Sequence, residues 1–424
     1  MADVPAIHKP DPAVDPGRRP GGERLRLLVC TPFAPRLDAR HGGRATAQLL
    51  ARIAERHDVA LLFLRADDQE PVDDVFVGRC ALVEEVRVPG RDSERASLRR
   101  ARWASGAFRG LPPWATDCRS PRFATRLREL VADWKPDVVE IHLQAMAQYV
   151  SVLADRPAAR ILLDYDPPSG WADELARETG GPRRLARRAE LALWRRYERA
   201  TRRRFDAIVV FAERDVPVVA ATAGSVRVVR IPLALDVPAE PFDPLGEEPP
   251  TVLFVGGFGH PPNVDAARWL ARSIFPRVVE HVPNARLELV GDRPGADVRD
   301  LAGDAVSVHG SVPDVSPYLN RAAVVAAPIR LGGSMRGKVL EALGGGKALV
   351  ATPRAAEGVE AVPGEHYVLA STEDELSEAL IALLRDPGAR RQLAERARAW
   401  AEESLSWERS VLELERLYAG LARP

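Results

Sequence analysis

Short runs of aliphatic residues alternate with longer segments of helical period from Leu25 onward. This alternation is typical of βαβ units, in which parallel strands form one sheet and helices cover its faces. In the first half of the chain we predict strands at RLRLLVCT, VALLFL, DVVEIH, RILLDY, DAIVVF and VRVVRI. A second series follows at TVLFVG, ARLELVG, AVSVHG, AVVAAPI, KALVAT and HYVLA. The pattern therefore predicts an α/β chain with two doubly wound sheets.

A Pro-rich, acidic stretch without apolar periodicity, PLALDVPAEPFDPLGEEPP, separates the two series. Such composition is typical of a linker. The final segment has the period of three helices, and the last of them is either a plain cap or a tail that returns to the first domain. The segments that we predict are a disordered tail over 1–23, an N-terminal Rossmann-like domain over 24–235, a linker over 236–250, a C-terminal Rossmann-like domain over 251–405 and a C-terminal helix over 406–424.

The 424 residues suffice for two cores, and 60 basic side chains balance 60 acidic ones. Because the charges balance, we expect no nucleic acid as a partner. Three cysteines without C-x-x-C pairing indicate a reducing cytoplasm and no zinc site. No apolar run reaches the length of a membrane span, and the N-terminus lacks the apolar segment of a signal peptide. We therefore expect a cytoplasmic protein.

The stretch RLGGSMRGKVLEALGGGKALV places a Gly-rich turn between an apolar run and a helical segment. It fits the frame of an ATP-binding phosphate loop, but Val339 replaces the hydroxyl that would hold magnesium, which disfavours that function. A helix N-terminus together with Lys338 favours a bound anion, and a plain strand-to-helix turn is the alternative. Glu341 shares the helix face of Lys338 and is either its surface ion-pair partner or an acceptor for ribose hydroxyls.

Polar residues also stand at the ends of two predicted strands. His142 ends DVVEIH, at a strand end where ligand-facing residues gather, and it is either such a residue or a core histidine. Asp164 and Asp166 form a D-x-D in LLDYDPP, a spacing that binds a metal and a nucleotide in one class of enzyme. Short matches of this kind arise by chance, so we favour plain strand-end carboxylates and expect no metal.

The segment RRLARRAELALWRRYERATRRR carries ten arginines over residues 183–204. One interpretation is an apolar stripe packed on its own sheet below a solvated basic face. The other is docking to an anionic membrane, helped by RRARWASGAFRGLPPW over residues 99–114. Periodicity alone does not separate the two.

Several segments together resemble the GT-B glycosyltransferases of family 4, with their C-terminal domain of the type named glycosyl transferases group 1. The second half carries the likeness in VGGFGHPPNVDAARWL, VPNARLELVGDRP, VHGSVPDVSPYLNRAAVVAAPIRLGGSMRGKVLEALGGGKALVATPRAAEGV and the late SW, and the first half carries it more loosely in HGGRATAQLLARIA, PDVVEIH and RRYERATRRRFDAIVVFAERD. The resemblance implies two Rossmann-like domains facing across a cleft. It also implies transfer of a sugar, hexosyltransferase-like, from a nucleotide diphosphate sugar to a sugar, a lipid-linked molecule or a small molecule. The reaction would be retaining, with no metal and no cofactor beyond the donor.

The resemblance also implies roles for individual residues. Glu341 would hold the ribose of the donor, the backbone near Ser311 and Val312 would contact the base, and His142 would lie beside the reacting sugar. Lys338, the other residue expected to act in catalysis, would hold the diphosphate, and Asp164 and Asp166 would lie on the acceptor side. The implied donor-binding set is Gly42, Gly43, Gly257, Ser311, Val312, Arg330, Gly332, Gly333, Ser334, Arg336, Lys338 and Glu341.

Two departures from the family pattern stand out. Gly333 occupies the place of the first of two glutamates eight positions apart. GGFGHPPN lacks the usual Arg and Lys pair, so Lys338, with Arg336 or Arg330, would supply that charge. A sugar-nucleotide epimerase on the same fold and a binding-only relative remain alternatives, and a two-lobed solute-binding protein is disfavoured by the absent signal peptide.

Overall fold

The structure is a computed structural model. It describes residues 24–37, 42–67, 69–89, 95–154, 158–181, 183–232, 234–331 and 337–421, so the predicted tail over 1–23 lies outside the described residues. The chain divides into two compact units. Unit 1 comprises Met1–Leu233 and Glu408–Pro424, and unit 2 comprises Ala234–Trp407.

Unit 1 contains a parallel sheet of seven strands in the order β3-β2-β1-β4-β5-β6-β7. The strands are β1 (Arg26–Thr31), β2 (Asp58–Ala66), β3 (Leu82–Val88), β4 (Val138–His142), β5 (Ala159–Asp164), β6 (Ala207–Val210) and β7 (Arg227–Arg230). All six predicted strands of the first half are present, and β3 is the one that the sequence did not indicate. It is an edge strand, and its Glu84 and Glu85 are paired with Arg126 and Arg65. Charged side chains are common on edge strands, and here they interrupt the run of apolar residues that would have predicted a strand.

The helices of unit 1 cover both faces of this sheet. They are α1 (Gly42–Arg56), α2 (Asp74–Arg79), α3 (Ala96–Phe108), α4 (Pro113–Asp117), α5 (Pro121–Trp134), α6 (Pro168–Glu178), α7 (Arg183–Arg202) and α8 (Asp215–Ala223), with a 3₁₀ helix over Gln144–Leu153. One large core cluster joins the strands to α5, the 3₁₀ helix and α8. A smaller cluster around Trp194 and Tyr197 joins α4, α6 and α7.

Unit 2 contains a parallel sheet of six strands in the order β10-β9-β8-β11-β12-β13. The strands are β8 (Thr251–Val255), β9 (Arg286–Val290), β10 (Val306–His309), β11 (Val324–Ala327), β12 (Leu349–Ala351) and β13 (Val368–Leu369). Its helices are α9 (Pro261–Trp269), α10 (Phe275–His281), α11 (Ala296–Arg299), α12 (Ser316–Arg321), α13 (Gly337–Gly344), α14 (Pro353–Ala356), α15 (Glu373–Arg385) and α16 (Pro387–Ser404), with a π-helical turn over Leu270–Ile274. All six predicted strands of the second half are present.

The predicted linker is held on unit 2. Within it, the backbone N–H of Phe242 donates to the carbonyl of Gly345 at 2.9 Å. The side chain of Lys347 donates to the carbonyl of Asp243. Residues 236–250 therefore lie against the second sheet domain in the structure.

The last helix, α17 (Trp407–Leu421), belongs to unit 1 from Glu408 onward. Arg56 of α1 forms a two-pronged ion pair with Glu415, at 2.6 and 2.8 Å. Val411 and Leu414 are 1 % exposed, so the apolar face of α17 is packed on the unit. Of the two alternatives for this tail, return to the first domain is the one that the structure shows.

Each sheet has one place where the strand order reverses. In unit 1 it lies between β1 and β4, and in unit 2 between β8 and β11. Ligands of doubly wound sheets bind at this switch point, outside the carboxyl ends of the strands. The predicted α/β class with two doubly wound sheets is confirmed, and the two switch points are where functional side chains should gather.

Candidate functional site

Lys338 lies in the first turn of α13, and its ammonium reaches the carboxyl end of β8. The Nζ atom donates a hydrogen bond to Oδ1 of Asn263 on α9. It also lies 5.0 Å from the centroid of the Phe254 ring on β8. Because α13 follows β11, Lys338 bridges the two strands that flank the switch point of unit 2.

Asn263 fixes the loop that follows β8. Its Nδ2 atom donates to the carbonyl of Gly257 at 2.9 Å, and its side chain is 7 % exposed. A Cβ on Gly256 would lie 2.9 Å from Cγ of Asn263, and one on Gly291 would lie 1.8 Å from the carbonyl oxygen of Gly256. Glycine at both positions is therefore what lets the loops after β8 and β9 approach each other.

The other predicted donor residues of unit 2 that the structure describes lie at this same edge of the sheet. Gly257 follows β8, and Ser311 and Val312 follow β10, with Ser311 exposed and Val312 half-buried. Glu341 is half-buried one turn after Lys338 on α13. Gly332, Gly333, Ser334 and Arg336 lie outside the described residues. The described members of the set are thus brought to one end of the sheet.

Arg330 is engaged with α9. Its guanidinium donates to both carboxylate oxygens of Asp265, at 2.8 and 3.0 Å, and stacks 4.7 Å from the centroid of the Trp269 ring. The hydrogen bond to Asp265 raises the pKa of Arg330. The charge of Arg330 is therefore balanced by a carboxylate, whereas the hydrogen bond of Lys338 described above goes to a neutral amide. The donor-binding role of Arg330 stays a prediction.

His142 is the last residue of β4 and lies at the switch point of unit 1. Its ring is 1 % exposed. Nε2 lies 3.2 Å from Oε2 of Glu140, and Nδ1 lies 3.3 Å from the hydroxyl of Tyr165. Tyr418 of α17 donates to the other oxygen of Glu140. The structure thus places His142 in a buried chain of four polar side chains that fixes the orientation of the imidazole.

The backbone directly after His142 is strained. Leu143 has φ 70° and ψ 137°, and its N–H donates to the carbonyl of Leu163 at 2.8 Å. A residue with a side chain in this region costs about 1–3 kcal/mol, and such residues concentrate at functional sites. This outlier favours a functional role for the end of β4.

The first turn of α1 approaches the His142 cluster. The helix begins at Gly42, and Gly43 is half-buried. Thr46 hydrogen-bonds the Tyr165 hydroxyl through its side chain. Arg44, between them, has a buried Nε without a hydrogen-bond partner among the described residues. The predicted glycines therefore lie on the helix that meets His142 through Tyr165, and their role in donor binding stays a prediction.

Asp164 and Asp166 differ in their surroundings. Asp164 is fully buried, and Nη2 of Arg202 donates to it at 2.7 Å. Arg202 is itself fully buried and also donates to Glu198 at 3.0 Å. Asp166 is half-buried. The carboxylate of Asp164 thus forms part of an internal ion network, and the acceptor-side role of the pair stays a prediction.

Sequence reasoning missed Glu140, Asn263 and Arg44. Glu140 was signalled by its position, since a carboxylate two residues before His142 shares its face of the strand inside an otherwise apolar run. Asn263 was signalled only weakly, as an amide in the first turn of a helix after a Gly-rich loop. Arg44 directly follows the two glycines already singled out, and its buried Nε could not be foreseen.

In the part of the chain that the structure describes, no group of three or more His, Cys, Asp or Glu side chains is placed to hold a metal ion. All three cysteines are free and buried. No helix among the described residues has both the length and the apolar character to cross a bilayer.

Residues 249–386 match the family model described as glycosyl transferases group 1. This range contains the whole Lys338 region. A search of curated protein sequences finds no match. The predicted resemblance to glycosyl transferases group 1 is thus confirmed over residues 249–386 by the family model.

Solved structures share the fold across nearly the whole chain. Sucrose-phosphate synthase from Thermosynechococcus elongatus has a TM-score of 0.68 at 16% identity, covering 94% of this chain and 99% of that one. The catalytic domain of starch synthase IV from Arabidopsis thaliana, bound to ADP and acarbose, has a TM-score of 0.62 at 12% identity, covering 94% and 100%. HepE from Anabaena, in complex with UDP and glucose, has a TM-score of 0.58 at 13% identity, covering 94% and 100%. The chain therefore has the GT-B fold.

Proposed function

We propose that the protein is a glycosyltransferase that moves a sugar from a nucleotide diphosphate sugar to an acceptor. The observation that carries this proposal is the position of Lys338, at the first turn of α13 and at the carboxyl end of β8. A helix N-terminus and a compact ammonium are both suited to a diphosphate. The match of residues 249–386 to glycosyl transferases group 1 supports the same substrate class.

In this proposal unit 2 acts mainly through electrostatics. Departure of a nucleotide diphosphate develops negative charge, which Lys338 and the N–H groups at the start of α13 would stabilise. Asn263 positions the ammonium, and Glu341 would accept hydrogen bonds from the ribose. No protein nucleophile is required when the leaving phosphate accepts the proton of the acceptor. We include retention of configuration and independence of metal in the same proposal.

His142 has a positioning partner in Glu140. When the Glu140 carboxylate accepts from Nε2–H, the Nδ1 atom is left to accept from the Tyr165 hydroxyl. The imidazole is then held in one tautomer and one orientation at the end of β4. Both ring nitrogens are then engaged and the ring is 1% exposed, so we propose that His142 acts on the reaction by positioning the end of β4.

The experiment that tests the function combines two measurements over a panel of nucleotide sugars. Thermal stabilisation reports binding, and release of nucleotide diphosphate with and without acceptors reports transfer. Glycosyl transfer predicts release that depends on an acceptor. An isomerised donor without acceptor would indicate the epimerase, and stabilisation without turnover over a broad acceptor set would indicate the binding-only relative.

Matched variants locate the donor. Lys338→Met and Glu341→Gln should weaken the stabilisation by nucleotide diphosphate, because each removes a predicted contact. Lys135→Met is the control, since Lys135 is an exposed lysine at the C-terminal end of α5. Unchanged affinity in both donor-site variants would refute the site, and no stabilisation by any nucleotide would refute the function.

The acceptor side of the proposal includes an anionic membrane surface. Phe108 and Leu98 of α3 are 95% and 59% exposed, and Leu185 of α7 is 76% exposed. The residues of α7 before Leu191 are exposed or half-buried wherever their side chains are described, so this end of the helix projects from the core. Exposed apolar side chains among arginines are typical of helices that bind anionic lipid. A lipid-linked acceptor and a cytoplasmic location are consistent with this surface.

A further inference from the structure

A cleft of about 610 Å³ lies in unit 1 at the amino ends of three neighbouring strands. The side chains that matter for its chemistry are Arg160 at the start of β5, Arg203 and Arg204 directly after α7, Asp206 before β6, and Arg227 at the start of β7. In a parallel sheet the amino ends of the strands lie at the edge opposite the carboxyl ends. The cleft therefore lies across the sheet from His142, and it belongs to a different unit from Lys338.

The charges in this cleft are unbalanced. Arg160 is neutralised by Asp206, to which its guanidinium donates at 3.0 and 3.1 Å. The side chains of Arg203, Arg204 and Arg227 form no ion pair or hydrogen bond with any residue in the part of the chain that the structure describes. Three guanidinium groups thus share one concave surface without a carboxylate partner among the described residues. Like charges in a cleft repel each other and raise the local concentration of anions.

The walls of the cleft are built by the fold. Asp206 accepts a hydrogen bond from the backbone N–H of Arg160 at 2.8 Å as well as from its side chain, which ties β5 to the start of β6. Gly224 has φ +70°, and a Cβ there would lie 3.4 to 3.8 Å from the side chain of Arg203. Phe205 is 3% exposed and anchors the chain between the two loop arginines and β6. The arginine backbones are therefore held by buried structure.

We propose that this cleft binds a ligand that carries two or more phosphate charges. Its volume lies within the range of about 300–1,000 Å³ that is typical of small-molecule sites. Guanidinium forks are the side chains best suited to two-pronged hydrogen bonds with phosphate oxygens. The site is independent of the proposed donor site, so a protein without sugar-transfer activity would still have it.

The phosphate can belong to a free metabolite or to a lipid headgroup, and the geometry separates this site from the exposed end of α7. The helix has 20 residues and is therefore about 30 Å long, with Arg183 at one end and Arg203 just beyond the other. Substitutions at the two ends consequently test two different surfaces.

The test uses inorganic pyrophosphate and titration calorimetry on the full chain carrying Lys338→Met, which removes the proposed diphosphate contact on unit 2. In this background the pair Arg203→Gln and Arg227→Gln should weaken pyrophosphate binding about tenfold or more. The matched pair Arg183→Gln and Arg188→Gln removes the same charge from the far end of α7 and should change it less than about twofold. The lysine pair Arg203→Lys and Arg227→Lys should restore part of the affinity.

Two results would overturn the proposal. One is equal weakening by both glutamine pairs, which would mean nonspecific attraction by the net charge. The other is that pyrophosphate does not bind the Lys338→Met protein that carries no further substitution. Melting temperatures without ligand identify any variant that has lost its fold, because arginines near the end of α7 also stabilise that helix.

Vesicles separate the two sources of phosphate. They consist of phosphatidylcholine with or without phosphatidylinositol 4,5-bisphosphate. Binding that requires the bisphosphate lipid, is displaced by pyrophosphate and is lost in the Arg203 and Arg227 pair assigns the site to a headgroup. Pyrophosphate binding without such vesicle binding assigns it to a free ligand, and both results support the phosphate site.

Discussion

The hydroxyl of Tyr418 donates a hydrogen bond to the carboxylate of Glu140, although 278 positions separate the two residues. Both side chains are almost completely buried, at 0% and 2% exposure. Glu140 also contacts His142, so the last helix of the chain helps to fix the residue at the end of β4. Burial and the adjacent carboxylate raise the pKa of Tyr418 well above its usual value, so the phenol remains a donor.

Removing this hydrogen bond should destabilise unit 1. We expect Tyr418→Phe and Glu140→Gln each to lower the free energy of unfolding by about 1–3 kcal/mol, because a buried polar group loses its partner. The double variant should show a coupling of about 0.5–3 kcal/mol in a double-mutant cycle followed by urea unfolding. Strictly additive effects would show that the two groups do not interact.

Turnover should depend on His142 more than donor binding does. We expect His142→Asn to lower kcat at least tenfold while the affinity for nucleotide diphosphate changes less than about threefold, because the ring lies on unit 1 and Lys338 on unit 2. Glu140→Gln should lower kcat by a smaller factor, since it affects the orientation of the ring. Equal kcat values for wild type and His142→Asn would remove His142 from the reaction.

Asn263 should affect the binding of nucleotide diphosphate through its hydrogen bond with Lys338. We expect Asn263→Ala to weaken binding of nucleotide diphosphate about tenfold, because the lysine loses the acceptor that positions it. Combining it with Lys338→Met should add little further weakening, which calorimetry on the four proteins can measure. Full additivity would indicate that Asn263 acts only by holding the Gly257 loop.

Lys347 should make the stability of unit 2 depend on pH. The ammonium is fully buried against the carbonyls of Asp243 and Asn320, and burial lowers its pKa to about 8. Between about pH 8 and the ordinary value of 10.5, the unfolded chain holds a proton that the folded chain has lost. The contribution of Lys347 to the free energy of unfolding therefore rises with pH across this window and is lowest below pH 8.

The comparison for Lys347 is with Lys347→Met, because the titration of other groups cancels in the difference. In denaturant unfolding at pH 7, 9 and 10.5, the free energy of unfolding of the wild type should rise relative to that of the variant by on the order of 1–3 kcal/mol as pH rises. A difference that is constant with pH would mean that Lys347 keeps its ordinary pKa.

The apolar side chains of α3 and α7 should mediate contact with an anionic bilayer. We expect Phe108→Ser and Leu185→Ser to reduce co-sedimentation with vesicles that contain phosphatidylglycerol, because they remove the most exposed apolar groups. Leu412→Ser, on an exposed position of α17, is the matched control and should have no effect. Binding to neutral vesicles that equals binding to anionic ones would contradict the role of the arginines.

The strands that could be predicted were those rich in aliphatic residues. Twelve of the thirteen strands in the described part of the chain are short runs of this kind, which is why the pattern indicated them, and it did so even for β7, β10 and β13, which are only partly buried. The missing one, β3, lies at an edge where the carboxylates of Glu84 and Glu85 interrupt the apolar signal. The Gly-rich turn before a helical segment indicated Lys338 and Glu341, and the family likeness implied the same two residues.

The partners of the predicted residues could not be read from the chain. The contact between Asn263 and Lys338 joins α9 to α13, and that between Tyr418 and Glu140 joins α17 to β4. Such pairs depend on how distant segments pack. The partner of Asp164 could not be predicted for the same reason. Asp164 pairs with Arg202, which belongs to a helix whose many arginines predicted a solvated basic face.

The assignment of α17 to unit 1 has a consequence for synthesis of the protein. A ribosome makes the sheet of unit 1 first, then the whole of unit 2, and only then the segment that contains Tyr418. Synthesis proceeds at about 5–20 residues per second, so roughly ten seconds or more pass before the Tyr418 hydroxyl is available to the Glu140 carboxylate. The first unit to emerge is therefore the last to be completed, and a chain that stops short after Trp407 would carry a finished unit 2 beside an unfinished unit 1.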